Sequence, residues 1–498
     1  MTNELYGRFT YRVAAAWLPQ FGRHPYPQLF SSTASDQLFA DYAESMPRLK
    51  EAGFDYLELA GLIGETGAGQ IPIKDGTFTS SPERDVSVKR SLNVMRDVGL
   101  NYVHALGVYS WGFEEVIRAH PELAGLRVSD PDMKRPGWDE DMLPYIDRLG
   151  PATIPAKDVL CASREESWDW MQRSIDWQLE TYPEIDGFHL ESADQGRCWC
   201  QMCRKINSVE YHTRINERTG EYLRQVAPEK TIFINNCGGD WGSIRALPYV
   251  QRLAKYADFI QDYMDSFWLP VEISQWGRQV KIDSRAKAVN ALTTVYGQTL
   301  HIRDAGLPRD RFFQPLPQSI YLFVTDSYQQ GCRGMQFYSA GPIYNPGSEF
   351  NMEFVGATLS NPEASYDELF DQTLDKLYQP GDHSTLAELR ELFETAEIAA
   401  AESFIDLNKT HHTVIDINRG IPGYTRLIPT FSLASYKGSI ERLAQRTAKV
   451  TNRLGNTTRA ERLQATLEGT ALAMADALES RLSGEFDGTP LRPYVRPE

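Results

Sequence analysis

The sequence repeats a short pattern in which a helix ends at a glycine and an apolar strand follows at once. Residues 50–58 (KEAGFDYLE) and 96–104 (RDVGLNYVH) both carry this pattern. Aligning the two segments on their glycines puts Glu58 and His104 at matching strand positions. Recurrence of such a unit predicts a fold made of alternating strands and helices.

Eight segments in the first 360 residues have the composition of buried strands, and segments with helical periodicity separate them. Eight such units at this length predict an α/β protein with a (β/α)8, or TIM, barrel. Strand signals stop near residue 361, whereas helical periodicity continues. We therefore predict a TIM-barrel catalytic domain over 1–360 and a C-terminal α-helical domain over 361–498. The expected strands are 12–17, 54–59, 100–107, 186–191, 231–236, 259–263, one within 292–303, and 334–338.

The fourth predicted strand ends in acidic residues and runs into a cysteine-rich turn. Because side chains alternate along a strand, Phe188 and Leu190 should face one way and His189 and Glu191 the other. A buried carboxylate beside an imidazole is costly unless the pair has a role. We expect this strand to carry the chemistry of the protein.

Other acids follow the second and sixth predicted strands. In TIM barrels the chemistry occurs at the C-terminal ends of the strands, so these acids should face one another across the mouth of the barrel. Glycoside hydrolysis needs two carboxyl groups, one to protonate the leaving oxygen and one to attack the anomeric carbon or to activate water. The candidate carboxylates are Glu58, Glu191, Asp194, Asp262 and Asp265.

Aromatic, amide and basic side chains at the remaining strand ends are candidates for binding a sugar. Aromatic faces stack well on apolar surfaces, and an arginine can hold a carboxylate with two parallel hydrogen bonds. Each candidate also has a structural interpretation, as a core aromatic, an internal ion-pair partner or, for Asp194, a cap of the turn before Gly196. The expected substrate-binding residues are Trp17, Glu58, Trp111, Asn235, Asn236, Asp265, His301, Arg303 and Tyr338.

The segment 160–191, followed by Asp194 and by the C-x-C-x-x-C run at 198–203, resembles barrel glycoside hydrolases. The related group contains β-N-acetylhexosaminidases and α-glucuronidases, and it includes members whose acid-ended fourth strand precedes clustered cysteines. The resemblance implies an acid catalyst at the end of strand four, which is Glu191 here. The chain has no adjacent Asp–Glu pair at that point and no clear Glu at the end of strand seven. We therefore assign the partner carboxylate to Asp262.

Six cysteines in 498 residues are too few for a disulfide scaffold. Three of them, Cys198, Cys200 and Cys203, could bind a structural zinc ion, with Cys161 or Cys237 as the fourth thiolate. Reduced thiols that only pack, and a disulfide, are the two alternatives.

Composition restricts the partners of the protein. The net charge of -16 and the pI near 5.2 argue against binding to nucleic acid or to an anionic membrane. No signal peptide and no apolar run of membrane-spanning length is recognisable. We expect a cytoplasmic protein that acts on a carbohydrate, requires no cofactor and could form a homo-oligomer.

These features predict a glycoside hydrolase, exo-acting on a small oligosaccharide or glycoside, with Glu191 as acid/base and Asp262 as nucleophile or base. A metal-dependent sugar isomerase or aldolase-like enzyme is an alternative, because histidine and carboxylate side chains near strand four could bind a divalent ion. A catalytically silent carbohydrate-binding barrel is a third possibility, and the fold alone does not choose among the three.

Overall fold

The computed structural model of the chain describes residues 9–22, 35–63, 71–128, 153–192, 197–235, 247–262, 291–296, 313–329, 331–338, 344–397 and 431–482. The strands within these ranges are β1 (Tyr11–Trp17), β2 (Tyr56–Ala60), β3 (Ile73–Lys74), β4 (Thr77–Phe78), β5 (Asn101–Gly107), β6 (Ala124–Val128), β7 (Thr153–Leu160), β8 (Ile185–Glu191), β9 (Thr231–Asn235), β10 (Phe259–Asp262), β11 (Ala291–Tyr296) and β12 (Gly334–Tyr338).

The described helices first alternate with the strands and then continue alone. Several of them begin at a serine or asparagine whose side chain accepts a backbone N–H of the first turn, which fixes where the helix starts. The helices are α1 (Asp36–Glu51), α2 (Pro82–Asp97), α3 (Glu114–Ala119), α4 (Glu165–Thr181), α5 (Ser208–Val226), α6 (Leu247–Leu253), α7 (Pro317–Gln329), α8 (Pro346–Ser360), α9 (Tyr366–Tyr378), α10 (383–397), α11 (Phe431–Thr451) and α12 (Thr457–Leu482).

Eight of the strands close into a barrel in the order β1, β2, β5, β8, β9, β10, β11, β12, and every neighbouring pair is parallel. β1 closes the ring, because it pairs with β2 on one side and with β12 on the other. The predicted (β/α)8 barrel is confirmed. The seventh barrel strand, which the sequence left open within 292–303, is β11.

The inside of the barrel is apolar at the N-terminal ends of its strands. Tyr11, Val13, Val103 and Phe233 form a buried cluster there, and the Tyr11 ring stacks on Tyr56 with centroids 4.3 Å apart. These side chains fill the lower part of the barrel, as layers of side chains do in this fold. The polar residues Glu58 and His189 lie closer to the opposite end, where the strands finish.

The C-terminal helices pack on the helices that surround the barrel. Phe350 of α8 lies 4.7 Å from Phe393 of α10 and 5.5 Å from Phe370 of α9, centroid to centroid. Glu349, which is 1% exposed, forms ion pairs with Arg48 of α1 and Arg459 of α12. The two parts of the chain thus share one continuous core, and the division at residue 360 stays a prediction.

A long insertion between β5 and α4 contains the antiparallel hairpin of β6 and β7. The hairpin ends at Leu160, immediately before Cys161, and hydrogen bonds from Leu160 N to Tyr109 O and from Cys161 N to Leu123 O hold it in place. It therefore lies beside the turn that follows β5. In the part of the chain that the structure describes, no helix is both long and apolar enough to cross a membrane.

Candidate active site

The end of β8 brings two polar side chains into the barrel. Phe188 and Leu190 belong to the large outer core, whereas His189 packs edge-on against Phe233 of the interior cluster, with ring centroids 6.1 Å apart. The alternation predicted from the sequence is confirmed for this strand. Glu191, the last residue of β8, therefore emerges on the same side as His189.

Glu58 of β2 accepts two hydrogen bonds that cross the barrel interior. His189 Nδ1 lies 2.8 Å from Glu58 Oε2, and Gln336 Nε2 of β12 donates to the same oxygen at 2.7 Å. Glu58 reaches Gln336 across β1, where the residue in register with Glu58 is Ala15. Because Ala15 presents only a methyl group, the strand between them leaves room for this contact.

Glu191 is the more open of the two carboxylates. Its side chain is 11% exposed, compared with 5% for Glu58, and its Oε1 lies 3.6 Å from His189 Nδ1. That distance is longer than a hydrogen bond, so His189 is paired with Glu58 and only adjoins Glu191. We call Glu58, His189, Glu191 and Gln336 the interior network.

The turn after β5 fixes the backbone at Glu191. Val108 N and Ser110 Oγ both donate to the carbonyl oxygen of Glu191, at 2.8 and 3.3 Å. The turn is tight, because a Cβ on Gly107 would lie 2.6 Å from the carbonyl oxygen of Trp111. Glycine at 107 therefore lets the chain fold back and bring the half-buried Trp111 to the rim beside Glu191.

One nitrogen of His189, Nδ1, adjoins both carboxylates. One oxygen of Glu58, one nitrogen of His189 and one oxygen of Glu191 all lie within 4.8 Å of one another. Such a set has the donor types and spacing of a divalent-metal site.

The structure describes only some of the remaining predicted site residues. Trp17 ends β1 and is half-buried. Asn235, Asp262 and Tyr338 are the last residues of β9, β10 and β12, and their side chains lie outside the described residues, as do Asp194, Asn236, Asp265, His301 and Arg303 entirely.

The order of the strands corrects one expectation about the acids. β2 and β10 lie opposite each other, but β8 lies midway between them, separated from β10 only by β9. The strands of Glu191 and Asp262 are therefore a quarter of the ring apart rather than across the mouth. In the pairing of β9 with β10, the residue in register with Asn235 is Gln261 rather than Asp262.

One polar residue of the site, Gln336, was not among the sequence candidates. The alternation of Gly334, Gln336 and Tyr338 in the predicted eighth strand was a usable signal for Gln336, since it marks a polar residue inside a buried strand. The role of Ser110 depends on the tight turn, which the sequence pattern did not reveal.

Four cysteines converge beside the end of β8. Sulfur atoms of Cys161, Cys198, Cys200 and Cys203 all lie within 4.8 Å of one another, and we call this set the cysteine cluster. The sequence suggested either Cys161 or Cys237 as the fourth member. Cys161 belongs to the cluster, and Cys237 lies outside the described residues. The described cysteines are free thiols, so the disulfide alternative is wrong for this cluster.

No protein-family model and no curated protein matches the chain. Among solved structures it is similar to a GH138 enzyme targeting the pectin rhamnogalacturonan II, with 11% identity and a TM-score of 0.58 over 95% of this chain and 58% of that one. It is also similar to CpGH89 from Clostridium perfringens, in complex with its substrate GlcNAc-α-1,4-galactose, with 12% identity and a TM-score of 0.52 over 97% and 52% of the two chains. The match to a β-N-acetylhexosaminidase has 12% identity and a TM-score of 0.42, and it covers 74% of this chain and 76% of that one.

The first two similarities concern the fold. The chain spans just over half the length of each of these two proteins. At identities of 11% and 12% the comparison shows a shared barrel and transfers no individual residue. The chain therefore has the barrel fold found in solved glycoside hydrolases.

Proposed function

We propose that this protein is a glycoside hydrolase in which Glu191 is the acid/base. The observation that carries the proposal is the placement of Glu191 at the C-terminal end of the fourth barrel strand, where its side chain is 11% exposed and adjoins the Glu58–His189 pair. Chemistry in TIM barrels occurs at this end of the strands. A carboxyl group held there can protonate a glycosidic oxygen.

Glu58 is assigned as a positioning residue rather than as the second catalytic carboxylate. Its Oε2 accepts from both His189 and Gln336, and its side chain is only 5% exposed. The pair of carboxyl groups in a glycosidase must have the sugar between them. Glu58 therefore orients His189, which in turn limits the positions open to the Glu191 side chain.

The second carboxylate is proposed to be Asp262, acting as nucleophile or base. It is the last residue of β10, on the same rim as Glu191 and with one strand between them. Asp194, three residues after Glu191, is the other candidate. The alternation along β10 gives the inward register position to Gln261, so a comparison of Asp262→Asn with Asp194→Asn is needed to assign the role.

The substrate is proposed to be an oligosaccharide or glycoside, cleaved from its end. Trp17 and Trp111 stand at the ends of β1 and after β5, where an aromatic face can stack on a sugar. The solved structures that share the barrel are enzymes acting on a pectin and on a GlcNAc–galactose disaccharide, which supports carbohydrate as the substrate class. The proposed polar contacts come from Glu58, Asn235, Asn236, Asp265, His301, Arg303 and Tyr338.

A panel of aryl glycosides, with the anomer of the product followed by NMR, tests the proposal. We expect hydrolysis of at least one glycoside by the wild-type chain, and loss of activity in Glu191→Gln on those glycosides of the panel whose leaving groups are poor. Glu353→Gln is the matched control, since Glu353 is a buried acid of α8 that pairs with Lys376 of α9 and takes no part in the interior network. Equal activity in Glu191→Gln and wild type would contradict the assignment.

A metal-dependent sugar isomerase is the second candidate function, because Glu58, His189 and Glu191 have the spacing of a metal site. It predicts that Mg²⁺ or Mn²⁺ restores an aldose–ketose conversion to chelated protein. Hydrolysis that is indifferent to these ions excludes it. Binding of a sugar without turnover on any glycoside would favour the silent barrel.

A further inference from the structure

We propose that Cys161, Cys198, Cys200 and Cys203 bind one zinc ion that fastens the β6–β7 hairpin to the segment following β8. The proposal does not depend on the function proposed above. The ion would be structural, because four protein thiolates leave no position open for water or substrate.

The sulfur positions match a single tetrahedral ion. Cys161 Sγ lies 3.6 Å from Cys198 Sγ and 3.6 Å from Cys200 Sγ, and all four sulfurs fall within 4.8 Å. Zn–S bonds of about 2.3 Å in a tetrahedron separate the sulfurs by about 3.8 Å. A disulfide would need about 2.05 Å. In a [4Fe–4S] cluster each thiolate holds a different iron, which spreads the sulfurs farther apart.

Donor groups surround the sulfurs as they do around metal-bound thiolates. Leu126 N and Cys200 N both donate to Cys198 Sγ at 3.4 Å, and Cys203 N donates to Cys200 Sγ at 3.4 Å. Ser163 Oγ lies 3.1 Å from Cys161 Sγ. N–H and O–H groups directed at sulfur stabilise its negative charge and fix the orientation of each ligand.

A buried arginine provides the compensating charge. Four thiolates and one Zn²⁺ carry a net charge of minus two, which is costly to bury without a cation nearby. Arg197 is 1% exposed, lies 4.6 Å from the rings of Trp199 and Tyr211, and donates to the carbonyl oxygen of Cys203. Among the described residues no carboxylate forms a salt bridge with Arg197, and the carbonyl that it binds belongs to a cysteine of the cluster.

The ion would join segments that the backbone already brings together. Trp199 N donates to Leu126 O at 2.8 Å, so the chain after β8 runs along β6. Cys161 directly follows β7 and Cys198 follows Glu191 by seven residues. The metal would therefore hold the hairpin against the loop that continues from the proposed acid.

Elemental analysis of the full-length chain, purified without chelators under reducing conditions, tests the proposal. We expect one zinc ion per chain in the wild type and in Cys332→Ser, a buried thiol near β12 that serves as the matched control. Cys161→Ser and Cys200→Ser should lose zinc to background. Replacement of zinc by Co²⁺ should give the thiolate charge-transfer band and the visible absorption of tetrahedral cobalt.

Thiol titration of the wild-type chain keeps the proposal testable if the serine variants do not fold. In the native chain, four thiols should be protected until a mercurial reagent releases one zinc ion. Four thiols that react freely with no metal released would overturn the proposal. Iron in place of zinc, or full zinc retention in soluble Cys161→Ser, would overturn it as well.

Discussion

The interior network and the cysteine cluster flank the same strand end, yet they are assembled in opposite ways. Glu58, His189 and Gln336 come from three strands, and the two hydrogen bonds that join them span 131 and 278 residues of sequence. Three of the four clustered cysteines lie within six consecutive residues, and Cys161 is 37 residues from Cys198. Closure of the barrel creates the first site, whereas local loop geometry creates most of the second.

This difference implies different consequences when one member is lost. A change in the interior network should affect turnover while the barrel stays folded, because the barrel is held by its strand pairing and outer core. A change in the cysteine cluster should affect stability first, since its members connect the end of the β6–β7 hairpin to the segment that follows β8.

The largest effect is expected from Glu191→Gln on substrates with poor leaving groups. Loss of general acid catalysis should reduce kcat/KM about 10²- to 10⁴-fold for alkyl glycosides. Aryl glycosides with activated leaving groups need less protonation and should be affected much less. Steady-state kinetics across a leaving-group series, with melting temperature as the folding control, checks this. A uniform loss across the series would mean that Glu191 is not the acid.

The second effect concerns stability. Removal of the proposed zinc, or Cys161→Ser, should lower the free energy of unfolding by several kcal/mol, on the order of 3, because metal binding is coupled to folding. The rate per folded molecule should change little. Denaturant unfolding followed by circular dichroism measures the first quantity, and active-site-normalised kinetics measures the second. An unchanged unfolding curve would mean that the cysteine cluster does not stabilise the fold.

The third effect comes from Glu58→Gln, which keeps the shape of the side chain but removes its charge. We expect kcat to fall roughly 10- to 100-fold with KM unchanged, because His189 loses its charged acceptor and Glu191 its fixed neighbour. The pH profile of kcat/KM should shift in the same variant, which a purely structural role would not produce. Gln336→Glu would place a second carboxylate against Glu58, and we expect it to be the more destabilising of the two.

The smallest effect is a pH dependence of stability from His104, on the outer face of β5. Burial lowers the pKa of His104 to about 3. A histidine whose folded pKa is depressed contributes stability that is present above its unfolded pKa of 6.5 and lost as the pH falls below it. Between pH 6.5 and 5 the loss should be about 1 to 2 kcal/mol.

The slope of melting temperature against pH measures this effect, and His104→Gln should reduce it. His212, whose pKa burial also lowers to about 3, should supply a similar and separate contribution. A slope unchanged by His104→Gln would show that His104 is already protonated or exposed in the native chain.

The barrel itself was readable from the sequence because strand and helix patterns recur eight times, and each pattern depends on nearby residues. The alternation on β8 was readable for the same reason. The alignment of the two repeats matched Glu58 with His104, and that match is wrong. In the structure Glu58 is in register with Val103, while His104 packs against Phe188 on the outside.

An offset of one residue between neighbouring strands moves a side chain to the other face. Such offsets are set by the closure of the barrel and leave no trace in a local pattern. Because these offsets are not visible in the sequence, the contacts of Glu58 with His189 and Gln336 could not be predicted from it. The cysteine cluster, by contrast, was largely readable from spacing, and only the choice of Cys161 as its fourth member required the fold.

The hydrogen bond between Glu58 and Gln336 links the second barrel strand to the last one. During synthesis on the ribosome, Glu58 emerges early, but its second donor becomes available only after β12 has left the exit tunnel. A nascent chain stopped before that point has neither a closed ring nor a complete network. The proposed active centre is therefore acquired late in translation, in the same step that completes the barrel.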